Sequence, residues 1–207
     1  MCLTLEGASS RHAEQVERLC AAGAKWIQLR MKGAEKAAWL SEARLASRVC
    51  RAHGAVLIVN DGVEVAQESG ADGVHLGSRD MDWASARRRL GPDFLIGGTV
   101  NNAPDARRAV SSGCLDYVGV GPLRFTSTKD HLAPVLGLGG IRGLLAILGD
   151  IPAWAIGGVE PGDMRSLREA GAAGAAVASS LWRNGTVPGN VGAFLSSWHE
   201  AAEAVHP

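Results

Sequence analysis

The sequence lacks a net charge: 21 Lys and Arg balance 21 Asp and Glu over 207 residues. A neutral chain has no strong electrostatic case for a nucleic-acid or membrane-surface partner. The local run Arg87-Arg88-Arg89 is read as a solvated helix face. The four cysteines, Cys2, Cys20, Cys50 and Cys114, show no C-x-x-C spacing, so reduced thiols are expected rather than a zinc site or a disulfide framework. No apolar run reaches the roughly 20 residues that span a bilayer. The start has neither the basic residues nor the apolar stretch of a secretion signal. A cytoplasmic protein is the expectation. Missing too is a Gly/Ser/Pro-rich linker, which leaves residues 1–207 as one domain. With 46% hydrophobic and 20% charged residues, the chain has the composition to bury a core.

What is present is a repeat. Four times a helical stretch ends in a small residue and Gly, then runs into a short apolar strand. The four are Ala22-Gly23-Ala24 before Trp26–Leu29, Ser69-Gly70-Ala71 before Gly73–Leu76, Ser112-Gly113-Cys114 before Tyr117–Val120, and Ala170-Gly171-Ala172 before Ala175–Ala178. Glycine just past a helix supplies the left-handed conformation that ends it. The glycines are 47, 43 and 58 residues apart, too far for one βα unit and suited to two. Intermediate strands fit at Val56–Val59, Phe94–Gly97 and Trp154–Ile156, and Met1–Leu5 supplies an abbreviated first strand. Helical periodicity fills the gaps over Arg11–Ala22, Trp39–Val49, Val63–Ser69, Asp82–Leu90, Pro104–Ser112, Ile141–Leu148, Asp163–Ala170 and Val191–Ala204. Strands that are apolar throughout suit a parallel arrangement buried on both faces. Strict alternation of eight β and eight α elements predicts an α/β fold, a (β/α)8 TIM barrel, rather than an open doubly wound sheet.

In such barrels the reacting groups sit where strands end. Strand two ends Gln28-Leu29-Arg30-Met31-Lys32, and alternation sends Gln28, Arg30 and Lys32 to one side, a donor set suited to phosphate oxygens. Strand three ends in Asn60-Asp61 and strand four in His75-Leu76-Gly77-Ser78-Arg79-Asp80. Neighbouring strands lie roughly 5 Å apart, so Asp61 and Asp80 can approach at one rim. Such a pair needs a cation or a proton between its members, and Mg2+ shared with phosphate oxygens fits. Either aspartate could instead cap the helix that follows. His75 is read as an oriented barrel histidine rather than a metal ligand. Thr99 ends strand five beside two glycines. Gly121–Leu138 is the longest loop, with Thr126-Ser127-Thr128-Lys129 offering three hydroxyls and a cation to an anion. Gly157-Gly158 and Ser179-Ser180, after strands seven and eight, suit a second, separate phosphate cradle. No Ser-His-Asp, Cys-His or paired acid and base is evident. Catalysis would therefore be positional and electrostatic.

On these residues the chain resembles the thiamine-phosphate synthase family. The similarity runs in order through Trp26–Lys32, Val59–Ala66, Ala71–Asp80, Ile96–Thr99, Asp116–Lys129, Ile156–Val159 and Ala170–Leu181. The run DYVGVGPLRFTSTK is its most specific part. The resemblance implies condensation of hydroxymethylpyrimidine diphosphate with thiazole phosphate to thiamine phosphate and pyrophosphate, with diphosphate departing first. It implies that Gln28, Arg30, Lys32, Asn60, Thr99 and Lys129 hold the pyrimidine diphosphate, with Lys129, Arg30 and Thr99 closest to the chemistry. Asp61 and Asp80 would bind Mg2+, and Thr126, Ser127, Thr128, Gly158, Ala178 and Ser179 the thiazole phosphate. Partners would be two phosphorylated small molecules, with a homo-oligomer left open.

Several residues depart from the family pattern. Met31 stands where many members carry Glu, which implies one fewer charged or hydrogen-bonding group at the pyrimidine end. Gly62 stands where an acidic residue is common, which implies a looser metal shell. Thr99 replaces Ser, and Ser127 replaces Thr. The alternatives are a thiazole tautomerase-like isomerase on the same barrel and a non-catalytic barrel that binds phosphorylated ligands.

Overall fold

The computed structural model describes residues 1–126, 133–183 and 186–205, without the side chains of 203–205. Its strands are β1 (Cys2–Leu3), β2 (Trp26–Leu29), β3 (Val56–Asn60), β4 (Gly73–Leu76), β5 (Leu95–Val100), β6 (Tyr117–Val120), β7 (Ala153–Ile156) and β8 (Gly174–Ala176). The helices are α1 (His12–Ala21), α2 (Lys36–Ala52), α3 (Val63–Ser69), α4 (Trp83–Leu90), α5 (Ala103–Ser112), α6 (Gly137–Leu148), α7 (Met164–Glu169), α8 (Ser179–Trp182) and α9 (Val187–Val205). All strands pair in parallel in sequential order, the predicted (β/α)8 barrel. Among the described residues no helix is long and apolar enough to cross a membrane. The short α8, which interrupts the last loop, has no counterpart among the predicted helices.

The first strand is shorter than Met1–Leu5, yet it closes the barrel. Leu3 N donates to Val177 O at 2.8 Å, Val177 N to Met1 O at 3.0 Å and Thr4 N to Gln28 O at 3.0 Å. Thr4 then accepts from Arg30 N at 3.0 Å through its hydroxyl. Buried Gln15 of α1 receives Leu5 N at 2.8 Å and donates to Leu5 O and Ser10 O. Side chains thus replace the ladder where β1 stops.

Two aspartates in the repeat pin strand entries. Asp72, just before β4, accepts Leu57 N at 2.7 Å. Asp116, just before β6, accepts Ile96 N at 2.7 Å and the Arg87 guanidinium at 2.6 Å. The predicted helix ends at Gly70 and Gly113 have φ of 70° and 57°, the left-handed region that glycine enters without strain.

Alternation splits each strand between two environments. On β3, Leu57 and Val59 join the layer between sheet and helices, whereas the fully buried Ile58 lies outside that cluster. Inside the barrel, large rings fit because glycines face them. Trp26 meets Tyr117 edge-on with ring centroids 5.9 Å apart and Trp154 at 5.4 Å. A Cβ on Gly97 would penetrate the Tyr117 ring, and one on Gly174 would lie 2.7 Å from the Trp154 ring. Rings from β2, β6 and β7 plug the lower barrel, and the upper end stays open for polar groups.

Gly97→Ala should therefore lower stability by roughly 1–3 kcal/mol through overpacking. Gly143→Ala, in α6 where a Cβ meets nothing within 4 Å, should raise it by about 0.5–1 kcal/mol. Paired denaturant titrations check both, and a Gly97→Ala variant as stable as the parent would refute the ring-against-glycine account.

Candidate active site

At the C-terminal end of the strands lies a cavity of about 420 Å3. Its walls include Gln28, Arg30, Lys32, Asn60, Asp61, Asp80, Thr99, Thr126, Gly158, Ala178 and Ser179. Every candidate site residue that falls among the described residues is thus brought to one place. Ser127, Thr128 and Lys129 lie outside the described residues.

Strand geometry explains the first wall. Trp26, Gln28 and Arg30 alternate inward along β2, and Gln28 and Arg30 are buried at 4% and 8% exposure. Lys32 stays at the rim, its backbone N–H held by the Glu6 carboxylate. Asn60 ends β3, also buried. Met31 points the other way and packs partly buried against the apolar layer. It does not line the cavity, so the residue standing for Glu removes nothing from its wall.

Asp61 follows Asn60 with φ of 66°, the one positive φ outside glycine among the described residues. Asp tolerates that conformation better than most residues, and Asp61 N is tied to His75 O at 2.8 Å. Neither aspartate caps a helix. Asp82 caps α4 by accepting Ala84 N and Ser85 N, and α3 begins at Gly62 with no side-chain cap. Asp80 instead accepts Gly77 N at 2.6 Å, folding its turn back toward the cavity. Its carboxyl group faces that of Asp61 at the same rim. Burial and the facing Asp80 charge push the Asp61 carboxyl up to about 6, against the opposing pull of Lys32 and Arg30.

Gly62 has a packing reason. A Cβ there would lie 2.5 Å from the Trp39 ring, so the indole of α2 occupies the space a side chain beside Asp61 would use. Trp39 Nε1 is buried and has no hydrogen-bond partner among the described residues.

The opposite wall comes from the loops after β6, β7 and β8. Leu123 N donates to Ile156 O at 2.8 Å and Arg124 N to Gly157 O at 2.9 Å. The Arg124 guanidinium reaches Gly158 O at 3.0 Å and both carboxylate oxygens of Asp163 at 2.6 Å. Gly157 and Gly158 have φ of 92° and 65°, and a Cβ on Gly157 would lie 2.5 Å from Pro122. Leu136 N donates to Pro122 O at 2.9 Å and pins the two ends of the long loop together. Ser180 anchors α8 to Val159 O at 2.9 Å, while Ser179 stays at the wall and accepts from Arg183 at 3.1 Å.

Sequence reasoning did not place Met1, Arg79, Asn101, Tyr117 or Trp154, which also line the cavity, as does His75. For Tyr117 a signal existed: Gly97 and Gly119 leave room across the sheet for one large inward ring each. The arrangement as a whole offers cations, a facing carboxyl pair and glycine-rich turns around a cavity large enough for two small molecules. It suits binding and releasing phosphorylated compounds.

The thiamine monophosphate synthase family model matches residues 2–181. The thiamine-phosphate synthase of Bacteroides fragilis is 43% identical over 163 residues, covering 77% of this chain and 79% of that protein. That of Laribacter hongkongensis is 43% identical over 165 residues, 80% and 77% of the two chains. The solved structure of thiamine phosphate pyrophosphorylase from Pyrococcus furiosus superposes with a TM-score of 0.86 at 28% identity, covering 97% of this chain and 95% of that one.

Two outcomes follow from this geometry. An acid whose folded pKa is raised from 3.8 to about 6 holds its proton in the native state while the unfolded chain has lost it. Stability from this group is present at low pH and is lost as pH rises through that window. Asp61→Asn, which removes the repulsion, should therefore melt a few degrees higher than the parent in metal-free buffer at mildly alkaline pH; a lower melting point would contradict a strained pair. Gly62→Ala should destabilise by roughly 1–3 kcal/mol, and adding Trp39→Leu should recover much of it. Additive losses in that double variant would exclude the Trp39–Gly62 contact as the cause.

Proposed function

The chain belongs to the thiamine monophosphate synthase family, and on that premise we propose that this cavity joins a hydroxymethylpyrimidine diphosphate to a thiazole phosphate, yielding thiamine phosphate and pyrophosphate. It is a transferase of thiamine biosynthesis. The observation that carries the reading is the Asp61–Asp80 pair at the mouth of a barrel whose neighbouring strand supplies Arg30 and Lys32.

Mg2+ fits that pair. Among the described residues no three His, Cys, Asp or Glu side chains cluster to hold a metal alone. Mg2+ needs fewer, binding through one or two carboxylates and completing its shell with water and substrate phosphates. A cation between Asp61 and Asp80 would relieve the repulsion that raises the Asp61 carboxyl. Bound there, Mg2+ would neutralise charge on the diphosphate as it departs.

The chain's own residues do the rest. Arg30 and Lys32 donate to diphosphate oxygens, and Arg30, already buried, needs little ordering to do so. Gln28 and Asn60 line the deeper wall where the pyrimidine ring would lie, and their amides can donate to or accept from its nitrogens. Thr99 adds a hydroxyl, and Lys129 would bring a further cation from the long loop. The C–O bond to diphosphate breaks first, its electrons leaving with pyrophosphate. The thiazole nitrogen then donates its lone pair to the pyrimidinylmethyl cation, forming the C–N bond. No side chain has to remove a proton, in keeping with the lack of an acid and base pair.

The thiazole phosphate would lie against Gly158, Ala178 and Ser179, and the family resemblance assigns Thr126, Ser127 and Thr128 to the same phosphate. The positive φ of Gly157 and Gly158 aims backbone that an ordinary residue could not present. The Arg124–Asp163 bridge holds that turn in place.

The test is pyrophosphate release with both substrates and Mg2+. Turnover requiring all three supports the reading. Conversion of the thiazole alone would indicate an isomerase, and binding without turnover a ligand-binding barrel. Asp61→Ala should lower turnover by about two to three orders of magnitude with the fold retained. Mg2+ competes with the proton on Asp61, so its affinity should fall by up to about tenfold per pH unit below 6. Mg2+ titrations of the free enzyme read that slope, and a pH-independent affinity would remove Asp61 from the metal shell.

A further inference from the structure

Three polar side chains from consecutive strands form a hydrogen-bonded row across the cavity floor, and the condensation reaction uses only one of them. Tyr117 Oη lies 3.2 Å from His75 Nδ1, and His75 Nε2 lies 3.0 Å from Thr99 Oγ1. The sheet register sets this row, with His75 beside Gly97, Gly97 beside Tyr117, and Thr99 beside Gly119. The glycines make the room: Gly97 lies under the phenol ring, and a Cβ on Gly119 would lie 3.3 Å from His75 Cε1. All three side chains border the cavity, Tyr117 with only 2% of its surface exposed.

The direction of the hydrogen bonds follows from counting protons. A phenol has one proton to donate, and burial pushes the Tyr117 hydroxyl far above its ordinary pKa, so the proton stays on. Among the described residues its one hydrogen-bond partner is His75 Nδ1. Tyr117 therefore donates and Nδ1 accepts, because the reverse would leave a buried proton with no acceptor. A neutral imidazole whose Nδ1 accepts carries its hydrogen on Nε2. That hydrogen goes to Thr99 Oγ1. The threonine hydroxyl accepts from His75, and its own hydrogen has to point elsewhere, toward the cavity it borders.

We propose that Tyr117 is a positioning residue which, through His75, fixes the Thr99 hydroxyl as a hydrogen-bond donor into the cavity, aimed at an anionic oxygen of the substrate. The identity of that oxygen rests on the proposed function, a diphosphate leaving group. The direction of the hydrogen bonds does not. A donor fixed before substrate arrives needs no reorientation as charge builds on the departing oxygens. A threonine free to rotate would spend part of its time presenting a lone pair to that charge.

The direction is read without any turnover. Long-range 15N–1H spectra of enzyme labelled at histidine distinguish the two neutral tautomers and the charged ring, and His75→Gln identifies the signal. The expected result at mildly alkaline pH is a neutral His75 protonated at Nε2. A ring protonated at Nδ1, or one charged, overturns the proposal. Kinetics supply the second test. Tyr117→Phe keeps the ring over Gly97 and should lower kcat roughly tenfold, with each KM within about twofold of the parent. Thr99→Val should lower kcat further, and the double variant should match Thr99→Val within about twofold. Losses that simply multiply would mean that Tyr117 does not act through Thr99, and the proposal would fail. A parent enzyme that never condenses the two substrates would sink the proposed function, and the tautomer measurement would still decide the hydrogen-bond direction.

Discussion

Two carboxyl groups brought together where water is scarce cannot both be ionised without a cation between them. Asp61 and Asp80 are in that position, with the Asp61 carboxyl raised to about 6 by burial and by its neighbour. Around this conflict the upper barrel is arranged. Arg30 and Lys32 of the adjacent strand supply positive charge from one side. The left-handed backbone at Asp61 and the folded turn from Gly77 to Asp80 keep both groups from relaxing into ordinary helix caps. The pair costs stability in the empty protein. Sites that must bind a charged ligand are where such a cost is tolerated.

The same barrel is divided lengthwise by side-chain volume. Below, Trp26, Tyr117 and Trp154 fill the interior against Gly97 and Gly174. Above, the inward positions turn to Gln28, Arg30, Asn60, His75 and Thr99. The apolar plug gives the polar groups a rigid floor, and the glycine-rich turns after β6 and β7 give them a wall. Backbone and the Arg124–Asp163 bridge hold that wall together. Pre-organisation of this kind suits a reaction whose difficulty lies in charge separation rather than proton transfer.

Particular residues show how far the sequence could be read. Gln28, Arg30 and Lys32 are assigned to one side of β2 from alternation alone, because the side-chain period of a strand leaves no choice. Met31 and Gly62 show the opposite. As departures from a family pattern they imply a pyrimidine end short of one polar group and a loosened metal shell. In the fold Met31 packs into the apolar layer, and Gly62 makes way for Trp39. The partner that explains Gly62 lies 23 positions earlier in the chain, and no local pattern links the two. Tyr117 is similar. Its ring is ordinary as the first residue of an apolar strand, and only the register that sets it beside Gly97, with His75 on the strand beyond, gives its hydroxyl a partner.

The period is legible in local pattern. Repeated glycine-ended helices and wholly apolar strands fixed eight alternating units, one barrel and a rim where the polar strand ends collect, since these follow from local conformation and the direction of successive side chains. The tertiary structure decided which of those polar groups touch. That Asp61 meets Asp80 rather than capping a helix, that a two-residue first strand still closes the ring, and that a tyrosine reaches a threonine through a histidine all depend on distances between strands far apart in the chain. Those distances are set by packing among all eight units at once, and no single segment carries them.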